Sequence, residues 1–395
     1  MNLPLEGIKV LDFTHVISGP YCSQLLGDMG AEVVKIEKPG DGEFYRSEGV
    51  KNANGVSVIY PNYNRNKRGI TLNIKSPKAK ELLLAMAAKC DVFVENQRPG
   101  LLDKMGLGYQ DMKKINPRII YASISGFGAS GPYAKKPAFD MTIAAISGIM
   151  SLNGLDGTVP TKTGAAFSDF ISGIYAALGI VASLRKTAET GEGAYIDISM
   201  MDSIISVLDA FIPLYKQTGK IPARSGNRRA GFAPVNVFEV KDGYVYVAAS
   251  FQVHWESLAK LMGREELISD PRFDTTAHRK ENEPEVEAIV AEWIAPFTSK
   301  EAVDLMEANG VPCAPVKNIK EVIEDEHVVA RGSVVSFEYP GIGEYPMAAS
   351  PIRISGTEAR VERAPLLGEH NESVLFDWLS LSREEVEKLH GDHVI

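Results

Sequence analysis

The chain has 395 residues, more than the roughly 250–300 at which a single hydrophobic core stops growing, so two domains are expected. With 45% hydrophobic and 24% charged residues the composition is that of an ordinary globular protein. The net charge of −9 excludes a broad nucleic-acid-binding face, so an anionic ligand must be met by a local cluster of cations.

The N-terminus Met1-Asn-Leu-Pro-Leu-Glu6 lacks the basic and hydrophobic stretches of a secretory signal, and no apolar run reads as long enough to cross a bilayer. A cytoplasmic protein with no membrane partner is expected. Cys22, Cys90 and Cys313 lie far apart and the histidines are scattered, which leaves neither a disulfide framework nor a metal site. A GxSxG elbow is also absent.

Ile8–Phe13 reads as a buried strand, Pro20–Met29 as a helix ending at Gly30, and Glu32–Glu37 as a second strand. Glu37 falls near the place of a ribose-binding acid, but the turn Thr14-His-Val-Ile-Ser-Gly-Pro20 lacks GxGxxG, so a dinucleotide dehydrogenase is disfavoured. The pattern continues with a strand at Ile70–Ile74 and a helix from Pro77 to Lys89, capped by Ser76. Strands at Asp91–Glu95, Arg118–Ser125 and Ala194–Ser199 follow. Strands alternating with helices imply a parallel sheet covered on both faces, with ligands beyond the carboxyl ends of the strands. The segments that follow those ends carry glycine and cations, and Asn64-Arg-Asn-Lys-Arg68 adds three more cations; if they converge, they make a basic rim for a phosphate-bearing ligand.

From Phe170 the stretch Gly164–Leu184 is apolar with almost no polar break, so it reads as a helix buried on nearly all sides, with Ser168-Asp169 at its N-cap. Asp169 has two readings: a structural cap, or a carboxylate kept ionised by the helix end and used as a covalent nucleophile. Beyond it the texture changes. A helix is expected over Met200–Thr218, then the basic loop Arg224–Gly231, a β-hairpin over Val235–Ala248, and amphipathic helices around His254–Met262, Glu285–Trp293 and Lys300–Asn309. A return path through Val311–Val316 and a helix near Ile319–Arg331 leads to strands at Ser333–Tyr339 and Pro351–Ser355. The terminal helix opens with the capping-box spacing of Ser382 and Glu385.

Taken together, Leu11–Pro20, Gly30–Gly40, Asn66–Ile70, Val94–Gly100, Ser125–Pro132, Ser168–Gly173 and Ala364–Glu369 resemble the class III CoA-transferase family, which also contains α-methylacyl-CoA racemases. The resemblance implies an α/β fold: a Rossmann-like large domain with a parallel sheet, from 1–200 and 332–395, and an inserted small α+β domain over 225–310. Residues 201–224 and 311–331 are then linkers, and an interlaced homodimer is expected. It implies Asp169 as nucleophile, no permanently bound cofactor, and coenzyme A or acyl-CoA as substrate. The implied CoA contacts are Ile17, Ser18, Lys38, Leu72, Asn73, Ile74, Lys75, Asn96, Gln97, Arg98, Lys104, Lys136, Pro137, Ala138 and Phe139. Formyl-CoA transferases tend to have arginine where this chain has Lys38 and Lys104, and lysine at the place of Pro137; lysine keeps the charge but loses the bidentate fork. Their glycine-rich small-domain loop corresponds to Ser225–Pro234, where Arg228 or Arg229 is suited to a substrate carboxylate. The racemases use a histidine in Gly-His-Asp as second base. The matching segment here is Ala138-Phe139-Asp140, which disfavours racemisation. A non-catalytic CoA-binding protein is the remaining alternative.

Overall fold

The computed structural model describes residues 3–395 and divides into two compact units. One runs to Met150, resumes over Lys162–Thr218 and closes with Ala330–Ile395; the other comprises Ser151–Thr161 and Gly219–Val329.

The first unit is built on six strands: β1 (Lys9–Phe13), β2 (Glu32–Glu37), β3 (Lys67–Thr71), β4 (Val92–Glu95), β5 (Ile120–Ser125) and β6 (Ala194–Ser199). Every pairing is parallel and the order is β3-β2-β1-β4-β5-β6. Alternate residues feed two cores, as the twofold repeat of a strand requires. Leu11, Val34, Phe93 and Tyr121 join the helix Pro77–Ala87 and the C-terminal helices Asn371–Leu379 and Arg383–Gly391. Val10, Val33, Val92, Val94, Ile120 and Ala122 pack on the other face, against α1 (Ser18–Asp28) and the long helix Phe167–Thr190. The strand order reverses between β1 and β4, and in sheets of this order the crevice for ligands opens at that point.

The second unit carries a three-stranded antiparallel sheet of β7 (Val235–Val240), β8 (Gly243–Ala248) and β9 (Cys313–Pro315). It is covered by the helices Gln252–Leu261, Glu283–Ile294 and Ser299–Ala308 around Trp255, Phe273 and Val290. In the first unit, β10 (Val334–Tyr339) and β11 (Gly343–Ala348) form a hairpin, and the Ser382–Glu385 capping box is made, with Ser382 N–H donating to Glu385 at 2.7 Å.

Several expectations are corrected. β3 spans Lys67–Thr71 rather than Ile70–Ile74, because its backbone pairs with β2 from Val33 opposite Lys67 to Glu37 opposite Thr71, and the buried Lys67 side chain is accommodated by the Asp12 carboxylate of β1. The Met200–Thr218 helix is two pieces, Met200–Ile205 and Phe211–Thr218, with Asp209 between them in the left-handed region at φ 51°. The helix near Ile319–Arg331 is likewise two short ones, Ile319–Ile323 and Glu326–Ala330, and Pro351–Ser355 is irregular. The long helix has 24 residues and is apolar enough to span a bilayer by length and composition, against the sequence reading. It is also far from buried all round: Ser172, Gly173, Ala176 and Ile180 are packed, whereas Ile174, Tyr175 and Leu178 are exposed in the single chain. Gly173 sets its approach to α1, since a Cβ there would lie 2.7 Å from the carbonyl oxygen of Ser18.

Candidate active site

The turn from β1 into α1 is wired by buried charge. Asp12, wholly buried, accepts from Lys67 Nζ at 2.9 Å, Ser23 Oγ at 2.6 Å and the Thr14 N–H at 3.0 Å. Burial alone would raise its pKa, but the charges of Lys67 and Lys35 win and hold the carboxyl well below the usual range. Burial pulls Lys67 down to about 8 despite that partner. Lys35 Nζ donates to the Thr14 carbonyl at 3.0 Å. The chain then enters a conformation that a β-branched residue avoids: Val16 has φ 69°, a strain of about 1–2 kcal/mol. Surrounding bonds hold it there. The Val16 N–H donates to Glu43 at 2.9 Å, while Asn96, beyond β4, accepts from the His15 N–H at 3.0 Å and donates to the His15 carbonyl at 2.8 Å.

Asp169 faces this turn from the long helix. The helix begins at Phe167, so Asp169 sits inside its first turn and not at the N-cap, as the sequence pattern implied. The capping oxygen comes from elsewhere: Asp140 Oδ1 accepts from the Ser168 N–H at 2.7 Å and from the Asp169 N–H at 3.4 Å. Its other oxygen, Oδ2, is buried without a hydrogen bond. Burial and a second acid oppose the ionisation that the helix end favours at Asp169. Burial first, and then the charge of Asp140, push its pKa up to about 7, against the opposing hydrogen bonds of the Ser18 hydroxyl and N–H. Desolvation outweighs those bonds because the residue is only 8% exposed.

The sequence-predicted contacts fall into three groups. Ser18, Asn96, Gln97, Arg98 and Lys136–Phe139 line, with Asp169, one cleft of about 320 Å³. Lys38, Leu72 and Ile74 line a second of about 330 Å³, and His15, Gln97 and Leu101 belong to both. Ile17 is buried at the start of α1, whereas Asn73, Lys75 and Lys104 lie outside both clefts. Asn73 instead bonds the backbone of His393 and Val394. Lys38 pairs with Asp41 at 2.9 Å on the surface.

The basic rim is smaller than expected. Arg65 is sequestered by Asp28, Lys67 by Asp12, and Arg68 by Glu32 and Asp377, so none of the three is free for a phosphate. Glu37 is likewise taken up by Arg46, at 2.7 Å. In the second unit, Arg228 is bound at 2.6 Å by Glu287, whereas the Arg229 guanidinium stacks on Phe232.

Sequence reasoning passed over His15, Val16 and Asp140, all of which line the Asp169 cleft. His15 and Val16 lie inside the quoted Leu11–Pro20 motif. Burial and then the charge of Lys35 keep the His15 ring below its ordinary pKa, hence neutral at pH 7, and its Nδ1 lies 3.1 Å from Gln97 Nε2. Asp140 had no local signal as a cap, since the helix it serves begins 27 residues later.

A buried carboxylate of raised pKa in a cleft that Arg98 and Lys136 also line suits acyl transfer. The chain matches the family model described as CoA-transferase family III over residues 5–371. It is 34% identical to succinyl-CoA–D-citramalate CoA-transferase of Chloroflexus aurantiacus, over 99% of this chain and 98% of that one. It is 36% identical to human succinyl-CoA:glutarate CoA-transferase, over 94% of this chain and 85% of that one. A CAIB/BAIF family protein from Brucella suis, of known crystal structure, superposes with a TM-score of 0.87 at 34% identity, covering 96% of this chain and all of that one. With a family match over residues 5–371 and relatives aligned over 85–98% of their own lengths, this protein belongs to CoA-transferase family III.

Proposed function

We propose that the protein moves coenzyme A from an acyl-CoA to a small carboxylic acid, with Asp169 as the covalent nucleophile. The observation that carries this reading is Asp169 in one cleft with Ser18, Asn96–Arg98 and Lys136–Phe139. The ionised carboxylate attacks the thioester carbonyl and expels CoA thiolate, leaving an acyl-aspartyl anhydride. The thiolate attacks the aspartyl carbonyl, releasing the donor acid and forming an aspartyl-CoA thioester. The acceptor carboxylate then attacks that thioester, and the thiolate returns to the acceptor's acyl carbon, regenerating Asp169. Exclusion of water keeps both intermediates from hydrolysis. Lys136 and Arg98 are the cations of this cleft suited to CoA phosphates, with Lys38 in the adjoining one.

Citramalate and glutarate, named for the two relatives, are dicarboxylic acids, which favours a dicarboxylate acceptor here. Of the two loop arginines, Arg228 is engaged by Glu287, which leaves Arg229 as the candidate for a substrate carboxylate. The exposed apolar face of the long helix, with Leu178 63% exposed, supports the homodimer, which a mass measurement in solution tests.

The decisive experiment is intact mass spectrometry after incubation with a panel of acyl-CoAs, followed by hydroxylamine and peptide mapping. A hydroxylamine-sensitive adduct at Asp169, lost in Asp169→Ala, is the expected outcome. Exchange of the α-proton with solvent deuterium without any adduct would replace this reading by acyl-CoA racemisation, and retained activity in Asp169→Ala would exclude Asp169 as nucleophile.

A further inference from the structure

Beneath the Asn96–Arg98 turn lies a group that the transfer steps do not use. Glu95, the last residue of β4, is buried, and its Oε2 accepts the Gln97 N–H at 2.7 Å. Behind it is a cavity of about 400 Å³ lined by Ser123 of β5 and three mutually contacting tyrosines, Tyr109, Tyr121 and Tyr195, with ring centroids 5.4–6.0 Å apart. The charged groups facing Glu95 are Asp103 and, on β6, Asp197, both repulsive, while Arg98 and Lys135 line the same cavity without pairing to it. Burial, with those two acids adding to it, pushes Glu95 up to about 7 in spite of the hydrogen bonds of Ser123 and Gln97.

The bond from Glu95 sits at the centre of the turn. Asn96 clamps the His15 backbone on both sides, the Gln97 side chain meets the His15 ring, and Arg98 lines the Asp169 cleft. One acceptor on the Gln97 N–H therefore orients three consecutive residues. A glutamine could accept the same N–H without burying an acid, so what the acid adds is a bond whose strength follows its ionisation.

We propose that Glu95 is a positioning residue for coenzyme A, holding the Asn96–Arg98 turn against His15 and tightening that hold when its carboxyl is ionised. This rests on the reading of that turn as a CoA contact. The ionised form is the stronger acceptor, so the contribution of Glu95 to CoA affinity rises as pH climbs from 6 to 8. The test is calorimetric titration of free CoA into the full chain as wild type, Glu95→Ala and Glu95→Gln across that range. Glu95→Ala is expected to raise Kd on the order of tenfold at pH 8. The ratio of wild-type to Glu95→Gln affinity is expected to climb from about one at pH 6 to severalfold at pH 8. Taking the ratio cancels the titration of the CoA phosphates and of Asp169, which both proteins share. A flat ratio, or the same Kd in all three, overturns the inference alone. A wild-type chain that binds no CoA overturns it together with the CoA-transfer reading.

Discussion

Holding Asp169 ready as a nucleophile should destabilise the fold, and the size of that effect follows from its surroundings. Its pKa stands at about 7 in the folded chain against an ordinary 3.8, a difference of about 4 kcal/mol at 1.36 kcal/mol per pH unit. The folded state holds the proton where the unfolded chain has already lost it. The contribution of Asp169 to stability is therefore least unfavourable below pH 3.8 and worsens as pH rises to about 7, where nearly the full penalty is reached. Asp169→Asn keeps the shape and removes the charge. The variant should gain about 4 kcal/mol over wild type at pH 8 but only about 2 kcal/mol at pH 5.5, while losing transfer altogether. Urea unfolding at fixed protein concentration at the two pH values reads the difference. An advantage that is the same at both would refute the claim that burial and Asp140 raise Asp169.

Asp140→Asn keeps an oxygen for the Ser168 N–H but removes the second cause of the raised pKa. The acidic limb of the kcat/KM profile, set near pH 7 by Asp169 in the free enzyme, should move to lower pH, and a profile that stays in place would assign the shift to burial alone. Gly173→Ala puts a Cβ 2.7 Å from the Ser18 carbonyl, where only backbone movement relieves the clash. We expect a loss of about 1–3 kcal/mol in urea unfolding and a fall in kcat, since Ser18 bonds Asp169; unchanged stability and kcat would refute the close packing of the long helix on α1.

Much of this protein could be read from its residues one stretch at a time. β2 and β6 fall where the apolar runs placed them, the β7–β8 hairpin follows its lysine-aspartate-glycine turn, and the last helix starts at its capping box, because each depends on neighbours a few residues away. The motif series from Leu11 to Glu369 carried the family in the same way, and with it a short set of residues to examine. What tertiary structure decided was the state and company of those residues. Asp140 caps a helix that starts 27 residues after it, and only packing brings its charge to Asp169. The cations of Asn64–Arg68 look free in the sequence, yet folding spends them on Asp28, Asp12, Glu32 and Asp377. Desolvation and Coulomb terms depend on distance through space rather than along the chain, so the sequence determined which groups could do the chemistry, and only the fold decided which remain free and which hold their protons.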